Sequence, residues 1–250
     1  MTKYRIPLMV QQHFDQMINT MEMLESAKFA TLIIIPKILV QKEKQFTISW
    51  SNQIFQEGVN AKNFSAIDSY QKVLTNRSFQ ILLFDNSVIR CSLQFKDDIL
   101  VTQNFSWIPC PLSFDSYQNS IEFEPELISE EIMDEKYDKN RILMRSTVRF
   151  DYDSSHDAPD HPSSHMHFQN SETRINTDQP MCFNTFVKHV IETYYPKSYY
   201  VKKNIVPEEV YDLLSLDKWQ GLSFKTFTDR KKKIQYLSGN KYSLDILVMG

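Results

Sequence analysis

Glycine is nearly missing from this 250-residue chain, with four in all. Gly58, Gly221, Gly239 and Gly250 stand too far apart for G-x-G-x-x-G or G-x-x-x-x-G-K-[ST], which excludes a glycine-rich phosphate loop. Cysteine is as scarce. Cys91, Cys110 and Cys182 stand far apart with no C-x-x-C pair. That excludes a disulfide framework and a cysteine-based zinc site, and it suits a reducing cytoplasm. No strong excess of one charge is present either: the net charge of −3 argues against non-specific coating of DNA, while leaving room for a local basic groove. Long apolar runs are lacking. The most apolar stretch, residues 30–40, is too short for a bilayer and is broken by Pro36-Lys37. The first residues lead into no apolar core of the signal-peptide kind. The expectation is a cytoplasmic protein with no membrane partner.

What remains is a globular composition, 42% hydrophobic and 24% charged. Val10, Phe14, Met17, Ile18, Met21 and Leu24 recur at helical spacing and predict a helix over 9–27, with His13 beside the stripe and partly exposed. Strand patterns follow at 31–35, 38–40 and 46–50, then a short helix near 65–74. Residues 79–84, 88–95 and 99–107 alternate and are joined by Asp85-Asn-Ser and Lys96-Asp-Asp, which reads as an antiparallel meander. Residues 113–140 form an acidic connector, expected to be solvated and to mark a subdomain boundary if one exists. A helix is predicted over 183–195, another after Pro207, and a solvated basic run over 229–233. The fold class expected is α+β: a largely antiparallel sheet, an N-terminal helix and C-terminal helices packed on it, in one domain over 1–250.

The densest chemistry lies at 149–168, which holds four of the six histidines and four aspartates. Residues 147–152 and 165–168 both alternate, so the stretch reads as strand, polar loop, strand. Side chains two apart share a face, which groups Arg149, Asp151 and Asp153, and separately His165 and His167. A hairpin return brings the two groups together. Two imidazoles beside an arginine suit metal-independent cleavage of a phosphodiester, with His165 and His167 as acid and base. Arg149 or Arg174 would fork the phosphate, Tyr152 would bond or stack, and His161, Asp151 and Asp153 would complete the site. RNA or another nucleic acid is then the substrate. The same residues, with Asp160, also suit a metal-dependent hydrolase, although the spacing is that of no common metal motif and no metal or cofactor is expected from it. A non-catalytic partner protein, in which the cluster only shapes an interface, is the third reading, and His156 is the expected bystander.

Arg149-Phe-Asp-Tyr-Asp, His161-Pro-Ser-Ser-His-Met-His, Arg174-Ile and the 183–195 helix ending in Tyr-Tyr resemble an uncharacterised bacterial family, domain of unknown function 2290. Asp85-Asn-Ser and Trp107-Ile-Pro-Cys-Pro are similar to the same pattern, which favours glycine where Asn86 stands and threonine where Cys182 stands. The resemblance covers about residues 5–200 and implies no activity. An arginine–aspartate strand followed by an H-x-H strand is also similar to ribonuclease toxins of toxin–antitoxin loci. That likeness implies an effector of such a locus or of phage defence, with a protein partner encoded by a neighbouring gene.

Overall fold

The structure is a computed structural model that describes residues 5–41, 44–50, 66–111, 145–158, 161–168 and 173–226, with 125, 128, 130 and 143 in addition. Its frame is one nine-stranded sheet, antiparallel at every pairing. The strands are β1 (Ala30–Ile33), β2 (Lys37–Val40), β3 (Gln45–Ser49), β4 (Ile81–Leu83), β5 (Val88–Lys96), β6 (Ile99–Ile108), β7 (Val148–Asp153), β8 (Ser164–Phe168) and β9 (Ile175–Asn176). The main order is β1-β4-β5-β6-β7-β8-β9. The long strand β5 serves two partners along one edge: β4 at its start and β3, which also carries β2, at its end.

The expected meander is present as β4–β5–β6. Its first turn puts Asn86 at φ 63 and its second puts Asp97 at φ 55. With glycine so scarce, left-handed turn positions fall to asparagine and aspartate, whose short polar side chains tolerate them best, and to residues such as Lys28, Arg77 and Ser215. The strand expected to enter the site starts at Val148, later than its sequence pattern suggests.

One face of the sheet is apolar. Cys91, Leu93, Phe105, Trp107, Val148 and Phe150 face α1 (Leu8–Ser26) and α3 (Phe183–Tyr194), and all belong to one buried cluster. Pro7 opens α1, where its missing N–H costs nothing. His13 is a correction: it is 2% exposed, stacked on Phe224 at 3.9 Å between ring centroids. Phe224 belongs to the segment after residue 214, which covers a helix flank that the sequence pattern leaves open. The short helices α4 (Lys197–Lys202) and α5 (Glu208–Leu214) follow. Tyr195 pins this layer to the sheet: its hydroxyl donates to Asp85 (3.0 Å) and accepts from Trp107 Nε1 (3.2 Å). No helix among the described residues is long and apolar enough to cross a membrane.

The opposite face is split. At one end α2 (Ala66–Thr75) covers Leu82, Val88 and Ile108 in a second, smaller apolar cluster. Beyond it the same face turns polar, and the site lies there. The basic run at 229–233 and nearly all of the acidic connector lie outside the described residues.

Candidate functional site

Strand register builds the site. Arg149 pairs with His167 and Asp151 with His165 across β7 and β8. On the other side, Ser106 pairs with Arg149 and Asn104 with Asp151 across β6 and β7. Two polar rows result. The first reads Arg90, Ser106, Arg149, His167; the second reads Ser92, Asn104, Asp151, His165, Asn176. β7 alternates strictly because Val148, Phe150 and Tyr152 must face the core, which leaves Arg149, Asp151 and Asp153 on the polar side.

β8 inverts the usual burial. Its imidazoles His165 and His167 are buried, with side chains 4% and 6% exposed, while Met166 and Phe168 are only half-buried. Buried polar groups need partners. His165 Nδ1 lies 2.7 Å from the Pro162 carbonyl. A carbonyl only accepts, so Nδ1 carries the proton and Nε2 presents its lone pair. Burial lowers the His165 pKa below the ordinary histidine value, against the pull of the Pro162 carbonyl and Asp151, so this imidazole is neutral at neutral pH. His167 is different: neither ring nitrogen has an aligned hydrogen-bond partner.

Asp151 is the centre. Its Oδ1 accepts from Asn104 Nδ2 at 2.6 Å. Its Oδ2 lies 2.6 Å from Arg149 Nε, 3.3 Å from His167 Nε2 and 3.9 Å from His165 Nε2. Burial pushes the Asp151 carboxyl up, but His167, the Arg149 charge and the Asn104 amide outweigh it and hold the group below the usual carboxylate range. Arg149 Nε, though close, is not aligned as a hydrogen bond. Ligand-capable atoms of Asp151, His165 and His167 all fall within 4.8 Å of one another, so the three side chains stand within reach of a single cation.

The other predicted residues separate. Tyr152 is buried on the apolar face and lines a different cavity, of about 630 Å³, with Ser164, Asn176 and Phe224. Asp153 is occupied locally: it takes Ser155 N (2.8 Å) and Oγ (2.6 Å) on one oxygen and His156 Nδ1 (2.9 Å) on the other. It therefore shapes the turn, with His156 as its companion. His161 stands beside the site, 5.1 Å from His165 between ring centroids and 5.2 Å from His156. With His165 and His167 4.7 Å apart, four imidazoles step from the exposed loop to the buried strand. Arg174 directly precedes the edge strand β9, whose Asn176 pairs with His165. Asp160 lies outside the described residues. Sequence reasoning missed Asn104, Ser106 and Arg90. Their signal was present, a polar residue at every second position of an otherwise apolar hairpin, but it shows only once β6 is known to neighbour β7.

No curated protein and no solved structure matches the chain. A family described as uncharacterized conserved protein (DUF2290) matches residues 33–238. The match starts after α1 and runs past α5, further toward the C-terminus than the sequence pattern suggested. It spans the whole polar face, from β3 to β9, and the chain belongs to this family.

Proposed function

We propose that the chain is a metal-dependent hydrolase of phosphodiesters, with the cation held by Asp151, His165 and His167. One observation carries the reading: three donors for a cation stand within 4.8 Å of one another. An acid–base pair must instead stand on opposite sides of the scissile bond, whereas a cation needs its ligands together. The second observation is His165 itself, whose Nδ1–H is spent on a backbone carbonyl, the orientation that metal-ligating histidines share. Two imidazoles and one carboxylate suit zinc, manganese or iron.

Asp151, His165 and His167 would hold the cation, and Arg149 beside them would reach the substrate phosphate. The cation would supply Lewis-acid activation of a water nucleophile. In the hydrolysis the bond from the water oxygen to phosphorus forms as the bond to the leaving oxygen breaks, and the leaving oxygen takes up the proton that the water gives up. Arg149 offsets the charge that builds on the phosphoryl oxygens. RNA is the substrate the sequence favours, and an effector role in a toxin–antitoxin or phage-defence locus is part of the same reading.

The test is elemental analysis of untagged protein together with RNA cleavage before and after chelation. About one metal per chain is expected, with activity lost to chelator and restored by the metal. His165→Ala and His167→Ala should each lose the metal and cost more than the roughly 10- to 100-fold typical of an outer-shell change. Metal-free protein that still cleaves RNA in chelator would return the site to the acid–base reading. Absence of cleavage with and without the neighbour-encoded protein would favour a binding role.

A further inference from the structure

The row beside the cation-binding residues carries a charge that nothing above uses. Arg90 is 6% exposed, and its guanidinium carbon lies 4.5 Å over the Trp50 ring. It makes no ion pair with a carboxylate among the described residues, and its Nε has no hydrogen-bond partner. Burial lowers its pKa to about 10, the response of a cation with no anion opposite it. Arg149, in the same row, also has a buried Nε without an aligned partner. Ser106 stands between the two arginines, on the intervening strand. Ser49 shares this face, two residues beyond the Thr47 that pairs with Gln94, and its Oγ is buried and unpaired as well.

A buried guanidinium without a counter-ion is costly to fold and is kept where a ligand supplies the missing charge. In this row there are two planar forks and a hydroxyl, which donates to Asn104 Oδ1 at 3.3 Å; the neighbouring carboxylate, Asp151, faces Arg149 and leaves Arg90 without one. Such a set matches the oxygens of a phosphate, for which arginine forks are the preferred donors. The row adjoins that of Asp151 and His165, two residues or about 7 Å away along each strand, so the seat and the cation point are neighbours without coinciding.

We propose that Arg90 and Ser106, together with Arg149, whose fork stands between them and Asp151 and serves both phosphates, form a phosphate seat, and that the substrate carries a second phosphate which rests there while the scissile one lies at Asp151, His165 and His167. The substrate is therefore an oligonucleotide rather than an isolated phosphodiester. The second half rests on the hydrolase reading; the seat itself does not need the cation.

Thermal melting in chelator tests the seat, with inorganic phosphate as probe and sodium chloride of equal ionic strength as control. A tenfold excess over Kd should raise the wild-type melting temperature by about 3–5 °C. Arg90→Met should melt at or above the wild-type temperature without ligand, because an unpaired buried charge is gone, and should lose the phosphate shift. Arg90→Lys and Ser106→Ala should weaken the shift, and they serve if the methionine variant does not fold. A wild-type protein indifferent to phosphate, or variants that keep the full shift, would overturn the seat. A His165→Ala, His167→Ala double variant should keep the shift while losing metal, so a failed metal reading leaves this result intact. Finally, a diribonucleotide with a 5′-phosphate should bind at least tenfold more tightly than one without; equal binding would overturn the two-phosphate substrate.

Discussion

At the scale of single residues, three side chains make separate claims. His13 is buried among Phe95, Phe224 and the core, and burial lowers its pKa to about 4 despite a backbone hydrogen bond at Ser223. A depressed folded pKa means that the unfolded chain binds the proton first. Stability is therefore full above pH 6.5 and is lost as the pH falls toward 4, by at most about 3 kcal/mol. His13→Gln, which cannot titrate, should flatten this loss, as urea denaturation at pH 7 and pH 4.5 would show. Tyr152 was expected in the site and lies on the other face of β7, so Tyr152→Phe should leave RNA cleavage unchanged. A large loss would mean that the two faces communicate. Arg149→Lys should impair cleavage although the charge stays, because an ammonium offers no planar fork.

At the scale of elements, the turns show how a glycine-poor chain reverses direction. Asn86 holds φ 63 in the β4–β5 turn, its carbonyl takes the Tyr70 hydroxyl at 2.5 Å, and its buried side-chain amide has no partner. Glycine there would remove both the left-handed strain and the unsatisfied amide. Asn86→Gly should stabilise the protein by about 1 kcal/mol, read from the denaturation midpoint. The elements themselves were largely legible. Alternation located β5, β6, β7 and β8, and helical spacing located α1 and α3, because each of these buries one face against a large core. The grouping of Arg149 and Asp151 with His165 and His167 followed from parity together with a hairpin return, and β7 and β8 do pair. What parity does not contain is the neighbour across the sheet. Nothing in the sequence says that residues 99–108 pair with 148–153, so Asn104 and Ser106 were invisible as site residues. Nor does it say that the segment after α5 returns to α1, which is why His13 looked exposed.

At the scale of the whole molecule, one sheet serves two different interiors. The apolar face is closed by α1, α3 and the aromatic contacts of Tyr195 with Phe29, Phe84 and Trp107. The polar face is buried but unfinished: Ser49, Arg90, Arg149 and His167 all carry buried polar atoms without an aligned hydrogen bond. Such a face costs stability that a bound ligand returns. Metal and phosphate together should raise the melting temperature more than either alone, since each supplies partners to different atoms. Calorimetric scans with one, the other and both would measure this. Equal shifts in all three would mean that the ligands share one place.

The Arg90–Trp50 stack also has an optical consequence. The chain has three tryptophans, and two of them have their indole N–H engaged: Trp107 with Tyr195, and Trp219 with the Leu214 carbonyl. Trp50 instead lies under a positive charge. An anion that draws on that charge changes the electric field across one indole and leaves the other two as a steady background. The emission of the unlabelled protein should therefore follow occupancy of the polar face directly, and Trp50→Phe should silence the signal without abolishing binding.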